Sequence, residues 1–188
     1  MARWEAGADG RLAQAALELY LERGFEQVTV AEIAARAGLT KRTFFRHFSD
    51  KREVLFAGSA IFQDAVVSAV IAAPDGVAPI DAVAAALAAV GGELTQLGEP
   101  VRRRQHVIAA STDLQEREMI KLASLTAAVA DALQQRGLQH AAATLTAQAG
   151  IAVFKTAFER WASEDGSVGF PALLHESLND LRTAIAGQ

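Results

Sequence analysis

Between Gly24 and Phe48 the chain carries two helix stops and two helix caps, and that punctuation leaves room only for short helices joined by a tight turn. Thr29-Val30-Ala31-Glu32 has the spacing of a capping box, in which the threonine hydroxyl accepts from an early helical amide and the glutamate reaches back to the cap amide. A helix is predicted from Val30 to Ala37. Gly38 ends it, Leu39 fills the corner, and Thr40 is placed to cap a further helix from Lys41 to Phe48. So short a connection describes a helix-turn-helix. Ahead of it, Leu12, Ala15, Ala16, Leu19 and Tyr20 recur at 3–4 spacing, one buried stripe on a helix from Gly10 to Arg23 that Gly24 stops. Phe25 and Val28 follow as core plugs.

On the third helix Phe44 and Phe48 lie four apart and share a face, assigned inward against Ile33 and Ala34. Lys41, Arg42, Thr43, Arg46 and His47 are left on the remaining surface. With 18 Lys plus Arg against 22 Asp plus Glu, the chain cannot coat nucleic acid by net charge. Residues 36–52, however, hold six basic groups against Asp50 alone. A basic spot on an acidic chain suggests one anionic partner at one place; a solvated cluster is the bland alternative, and the helix signals decide against it. The outer set suits duplex DNA: cations for phosphates, Arg or Lys for the guanine acceptors, and Thr for a base edge or thymine methyl. Ser49 or Asp50 can cap a fourth helix reaching Ala72 or Ala73. Its N-terminal amides and Lys51 could hold a backbone phosphate, or Lys51 could be a solvated charge.

The rest of the sequence reads as helix throughout. Only 4 Pro in 188 residues, abundant Ala and Leu, and few β-branched runs indicate an all-α fold of about nine helices. Further helices are expected at Ile80–Leu97, Val101–Ala110, Leu114–Arg136 and Leu138–Ser163, with a last one opening near Pro171 and running to Ala186, after a loop at 164–169. Arg102, Arg103 and Arg104 spread over most of a helix circumference and cannot all be buried; one could meet an anionic ligand group, or all could be solvated. The stripes Ala147, Ile151, Phe154, Phe158, Trp161 and Leu174, Leu178, Leu181, Ile185 could pack within one chain or against a second copy.

Several function classes are disfavoured. Zero Cys excludes disulfides and thiolate chemistry. The apolar runs Ala65–Ala73 and Ala82–Gly92 fall short of the roughly 20 residues of a spanning helix, and no apolar leader follows Met1, so a cytoplasmic chain without membrane contact is expected. No nucleophile elbow, phosphate-binding Gly-Lys loop or His-Glu-x-x-His pair occurs, and His47, His106, His140 and His175 are scattered over separate helices. No enzyme, metal site or cofactor is expected. A protein-interaction module with a vestigial helix-turn-helix has no need of the cations at 41, 42 and 46.

Arg23-Gly24-Phe25, Val28-Thr29-Val30, Ile33-Ala34, Ala37-Gly38-Leu39-Thr40, Thr43-Phe44-Phe45-Arg46-His47-Phe48 and Lys51 resemble the DNA-binding domain of TetR-family transcriptional regulators. The resemblance implies an N-terminal helix-turn-helix domain over 1–52 and a helical effector-binding and dimerisation domain over 53–188. It implies a homodimer on double-stranded, palindromic operator DNA, most simply a repressor released by a small molecule. Thr29 and Thr40 would contact phosphates at helix starts, Lys41, Arg42 and Thr43 would face the groove, Arg46 would share that surface, His47 would touch backbone or base edge, and Lys51 would hold a phosphate. Position 45 is commonly Tyr in the family. Phe45 lacks the hydroxyl, so its contact reduces to packing or a thymine methyl. An effector pocket is expected among helices four to eight, with Phe62, Val66, Leu87, Leu94, His106, Leu122 and Phe154 either lining it or filling ordinary core. The Thr-Phe-Phe-Arg-His-Phe helix and the Phe-Glu-Arg-Trp segment resemble a subgroup that senses acyl-chain or acyl-CoA-like ligands. The dimer contact is expected from the last two helices, through Ile151, Phe158, Leu174, Leu178 and Leu181.

Overall fold

The computed structural model describes residues 7–163 and 168–187; most of the loop expected at 164–169 lies outside that range. Among the described residues every regular element is helical. They are α1 (Ala8–Arg23), α2 (Val30–Arg36), α3 (Lys41–His47), a 3-10 turn (Glu53–Phe56), α4 (Ser59–Ile71), α5 (Pro79–Thr95), α6 (Glu99–Ala109), α7 (Thr112–Gln135), α8 (His140–Ser163) and α9 (Phe170–Ala186). The first three match the caps and stops within two residues. Thr29 forms the complete capping box with Glu32, Thr40 accepts from the Thr43 amide, and Gly38 turns the chain at φ 66°, a left-handed conformation that a side chain would strain.

The expected single fourth helix is two elements. Asp50 Oδ1 accepts from the Arg52 and Glu53 amides at 2.8 and 3.3 Å, opening the 3-10 turn, and α4 begins only after the turn at 57–58. Glu53–Ile71 together reaches 19 residues with the hydropathy of a spanning segment, longer than the apolar runs suggested, but its first part is packed protein core: Val54, Leu55 and Phe56 are all buried.

The chain forms two compact units, residues up to Ser59 with Glu99–Ile120, and Ala60–Gly98 with Lys121 onward. This division does not follow the 52/53 boundary. In the first unit α1, α2, α3 and the 3-10 turn share one core, in which Leu12, Ile33, Phe44 and Val54 are fully buried and into which Val107 and Ile108 of α6 and Leu114 of α7 are packed. Helices as short as α2 and α3 are marginal alone, so this burial holds them. Two arginines add polar ties. Arg104 Nε donates to the Leu55 carbonyl at 2.6 Å with its guanidinium 4.9 Å from the Phe56 ring centroid, and Arg117 pairs with Glu53.

In the second unit α5, α8 and α9 pack against one another most closely. A Cβ on Gly91 would lie 2.5 Å from Phe170 Cε1, and one on Gly150 would collide with Val83, so both glycines permit the close approach of α5 to its neighbours. Phe154 gathers Phe62, Phe158 and Phe170 at ring-centroid distances of 5.6–5.7 Å. Arg136 donates to the carbonyls of Ile71, Ala73 and Pro74, tying the end of α4 to the end of α7.

The residues expected at a dimer contact take part in this packing. Ile151, Phe158, Leu174 and Leu178 are buried within the single chain and Leu181 is half-buried, because the stripes of α8 and α9 serve the α5–α8–α9 core. Of the proposed pocket residues, Val66 and Leu87 are wholly buried, Phe154 sits in the aromatic cluster, and Phe62, Leu94 and Leu122 are half-buried in the same unit. His106 is exposed on α6 and belongs to the other unit.

Candidate nucleic-acid interface

The α3 surface follows from two inward aromatics. Phe44, fully buried, and Phe48, at the C-cap, fix the rotation of the helix against Ile33 and Ala34. Burying a side chain of this size contributes roughly 1.5–3 kcal/mol, enough to set which face of a seven-residue helix points out. Lys41, Arg42, Phe45, Arg46 and His47 are exposed as a result. Thr43 is half-buried, its hydroxyl 3.0 Å from that of Thr40. Arg46 and His47 lie side by side, Nη2 to Nε2 3.4 Å.

The remaining basic groups of residues 36–52 have partners inside the protein. Arg36 makes a two-pronged contact with Glu22 at 2.9 and 3.0 Å and reaches Glu18 at 3.5 Å, bracing α2 against α1. The hydrogen bond from Arg36 holds the Glu22 carboxyl below its usual range. Arg52 pairs with Asp50 at 3.0 Å and lowers that carboxyl likewise. The local charge that sequence counting assigned to one surface is therefore concentrated at Lys41, Arg42 and Arg46 with His47 beside them.

Lys51, expected at a phosphate, has its ammonium on carbonyls of its own domain. Its ammonium donates to the carbonyls of Phe25 (2.9 Å), Val28 (3.2 Å) and Glu26 (3.4 Å) and sits 4.1 Å from the Phe25 ring centroid. An ammonium has three donors, and these three carbonyls match them. The buried Tyr20 hydroxyl donates to the Lys51 carbonyl at 2.7 Å, and burial pushes that phenol well above its ordinary value. The amides that were expected to greet a phosphate at the next helix start are already taken by the Asp50 carboxylate.

Thr29 and Thr40 both stand at helix starts with exposed side chains, but the Thr29 hydroxyl is engaged twice, donating to Glu32 Oε2 at 2.7 Å and accepting from the Glu32 amide at 3.3 Å. Glu32 also accepts from Arg23 at 2.8 Å; the hydrogen bonds from Arg23 and then Thr29 bring its carboxyl down to about 2. Arg104 and Arg117, which hold the segment after Lys51, escaped the sequence reading. The sequence signal was three consecutive arginines that spread over most of a helix circumference and cannot all be buried, which does not say which one turns inward; Arg104 does, and burial lowers its guanidinium pKa against the opposing influence of Glu118. The Arg117–Glu53 pair joins positions 64 apart, which no local pattern shows.

The sequence model of bacterial regulatory proteins of the tetR family matches residues 12–57, and that of the MftR C-terminal domain matches residues 77–186. The transcriptional regulator TcmR of Streptomyces glaucescens is 38% identical over 84 residues, 45% of this chain and 37% of TcmR, so the match spans little more than a third of that relative. The fold is shared with SmeT of Stenotrophomonas maltophilia in complex with triclosan, at TM-score 0.65 and 19% identity over 92% of this chain and 90% of SmeT. It is also shared with FadR of Bacillus subtilis in complex with stearoyl-CoA, at TM-score 0.63 and 17% identity over 90% of this chain and 95% of FadR. With sequence models of a tetR-type DNA-binding region and of a regulator's C-terminal domain together accounting for most of its length, the chain belongs to the TetR family of DNA-binding transcriptional regulators.

Proposed function

We propose that this protein is a homodimeric repressor that binds a palindromic operator through α3 and is released by an apolar or amphipathic small molecule. The observation that carries the DNA-binding half is the outward presentation of Lys41, Arg42, Arg46 and His47 on a helix whose other face is anchored by Phe44. Arg42, long and exposed, reads a base edge or holds a phosphate; loss of affinity confined to one operator sequence indicates the first and a uniform loss the second. Thr40, Thr43 and the backbone around them approach phosphates, while Thr29 and Lys51 act inside the domain.

The ligand half rests on the second unit. α4 is apolar on nearly every side, yet only Val66 and Val70 are buried, while Ile61 is 75% exposed. With Phe62, Leu94 and Leu122 half-buried in the same unit, the lining available to an effector is apolar, which suits an acyl chain. The stearoyl-CoA complex of the structurally similar FadR supports that class. The test is release of the operator complex by long-chain acyl-CoA in an anisotropy titration. Release by acyl-CoA but not by free CoA is expected; an unchanged complex at saturating acyl-CoA overturns the acyl-chain assignment.

A further inference from the structure

We propose that Phe45 is a specificity-determining residue that reads the C5-methyl group of a thymine in each operator half-site, an inference that rests on the DNA-binding reading of α3. Phe45 stands in the middle of the exposed face and is 50% exposed, outside the core that Phe44 and Phe48 join. Its ring meets the buried Phe44 ring edge-on at 5.5 Å and 82°, which braces it against the helix, and the Lys41 ammonium lies 5.9 Å from its centroid. The phenyl thus stands among the cations of the reading face, held from beneath, with its outer rim bare.

A bare phenyl rim cannot donate to a phosphate or to a guanine acceptor. Lys41, Arg42 and Arg46 around it can do both. When α3 enters a major groove, the apolar ring needs an apolar partner, and the apolar group displayed on the base edges there is the thymine methyl. A cytosine carrying the same methyl offers the same surface. The ring therefore converts one methyl group into sequence preference at the base step beneath it.

The experiment uses the full chain and duplexes it selects from a random-sequence pool. Each thymine of the selected site is replaced in turn by deoxyuridine, which keeps every hydrogen-bonding group and removes only the methyl. Wild-type protein should lose affinity about fourfold per half-site at one thymine, the fold-change that corresponds to about 0.8 kcal/mol for one buried methylene-sized group. Phe45→Ala, a change outside the core, should bind the selected duplex more weakly and bind the thymine and deoxyuridine versions equally. Equal wild-type affinity for every thymine and deoxyuridine pair overturns the proposal while leaving DNA binding intact, as does a Phe45→Ala protein that still senses the methyl. A uniform loss in Phe45→Ala without methyl sensitivity in the wild type assigns the ring to the sugar-phosphate backbone instead, and also overturns it. Failure to select any duplex overturns the DNA-binding reading and this proposal with it.

Discussion

Lys51 shows how far an isolated charge can be read. Sequence places a lysine at the start of the segment after α3, where a phosphate ligand is plausible; the carbonyls that receive its ammonium belong to residues 25, 26 and 28, brought to it by the fold of α1 and the following loop. Nothing in the neighbouring sequence marks where those carbonyls will be. The arrangement makes Lys51 a positioning residue: it fixes the loop that leads into α2, and with it the seat of α3. Lys51→Met should therefore weaken operator binding and lower the melting temperature, while the dependence of log affinity on log salt keeps its slope. A slope flattened by about one per protomer would instead make Lys51 a phosphate contact. The inward Phe44 and Phe48, by contrast, were legible because a four-residue spacing on a capped helix admits one inward face.

The three short helices were legible as elements because their ends are local chemistry: Thr29 with Glu32, Gly38, and Thr40 each act within four residues. The fourth helix was less so. Asp50 caps a 3-10 turn rather than an α-helix, and a break without proline precedes α4, so apolar periodicity ran on across it. The ion pair between α1 and α2 carries a pH signature. Glu32 titrates near 4.5 when unfolded and at about 2 here, so its contribution is fully present above about 4.5 and is lost as the pH falls toward about 2. Glu32→Gln keeps a capping side chain but loses the charge that meets Arg23. Thermal unfolding followed by circular dichroism should show wild type above the variant at neutral pH and the two converging below the unfolded-state value. A gap unchanged across that window would mean the charge of Glu32 is irrelevant to stability.

On the scale of the whole molecule, the sequence could separate a buried stripe from an exposed one but could not say which chain buries it. Leu174 and Leu178 have the same letters and spacing whether they meet α8 of their own chain or of a copy; the structure puts them in the chain's own core. An interface between copies at this end of the fold has to use the outer faces of α8 and α9, where Leu145 is 66% exposed and Ala152, Thr156, His175 and Asn179 are also exposed. Leu178→Asp should accordingly unfold the second unit, since an unpaired charge would be buried. Leu145→Asp should leave a folded protein that sediments as a monomer; a folded dimer would move the contact to another surface. The two compact units likewise divide by packing rather than by order along the chain, with α6 joined to the DNA-binding core through Val107, Ile108 and Arg104. Whether the outward cations of α3 hold a duplex is decided by operator affinity measured across a salt series for wild type, Lys41→Ala and Arg46→Ala. Wild-type affinity should fall steeply with salt, and a variant that removes a phosphate contact should bind more weakly with a slope flatter by about one unit per protomer. Variants that match wild type in both affinity and slope would mean that these cations do not hold the duplex.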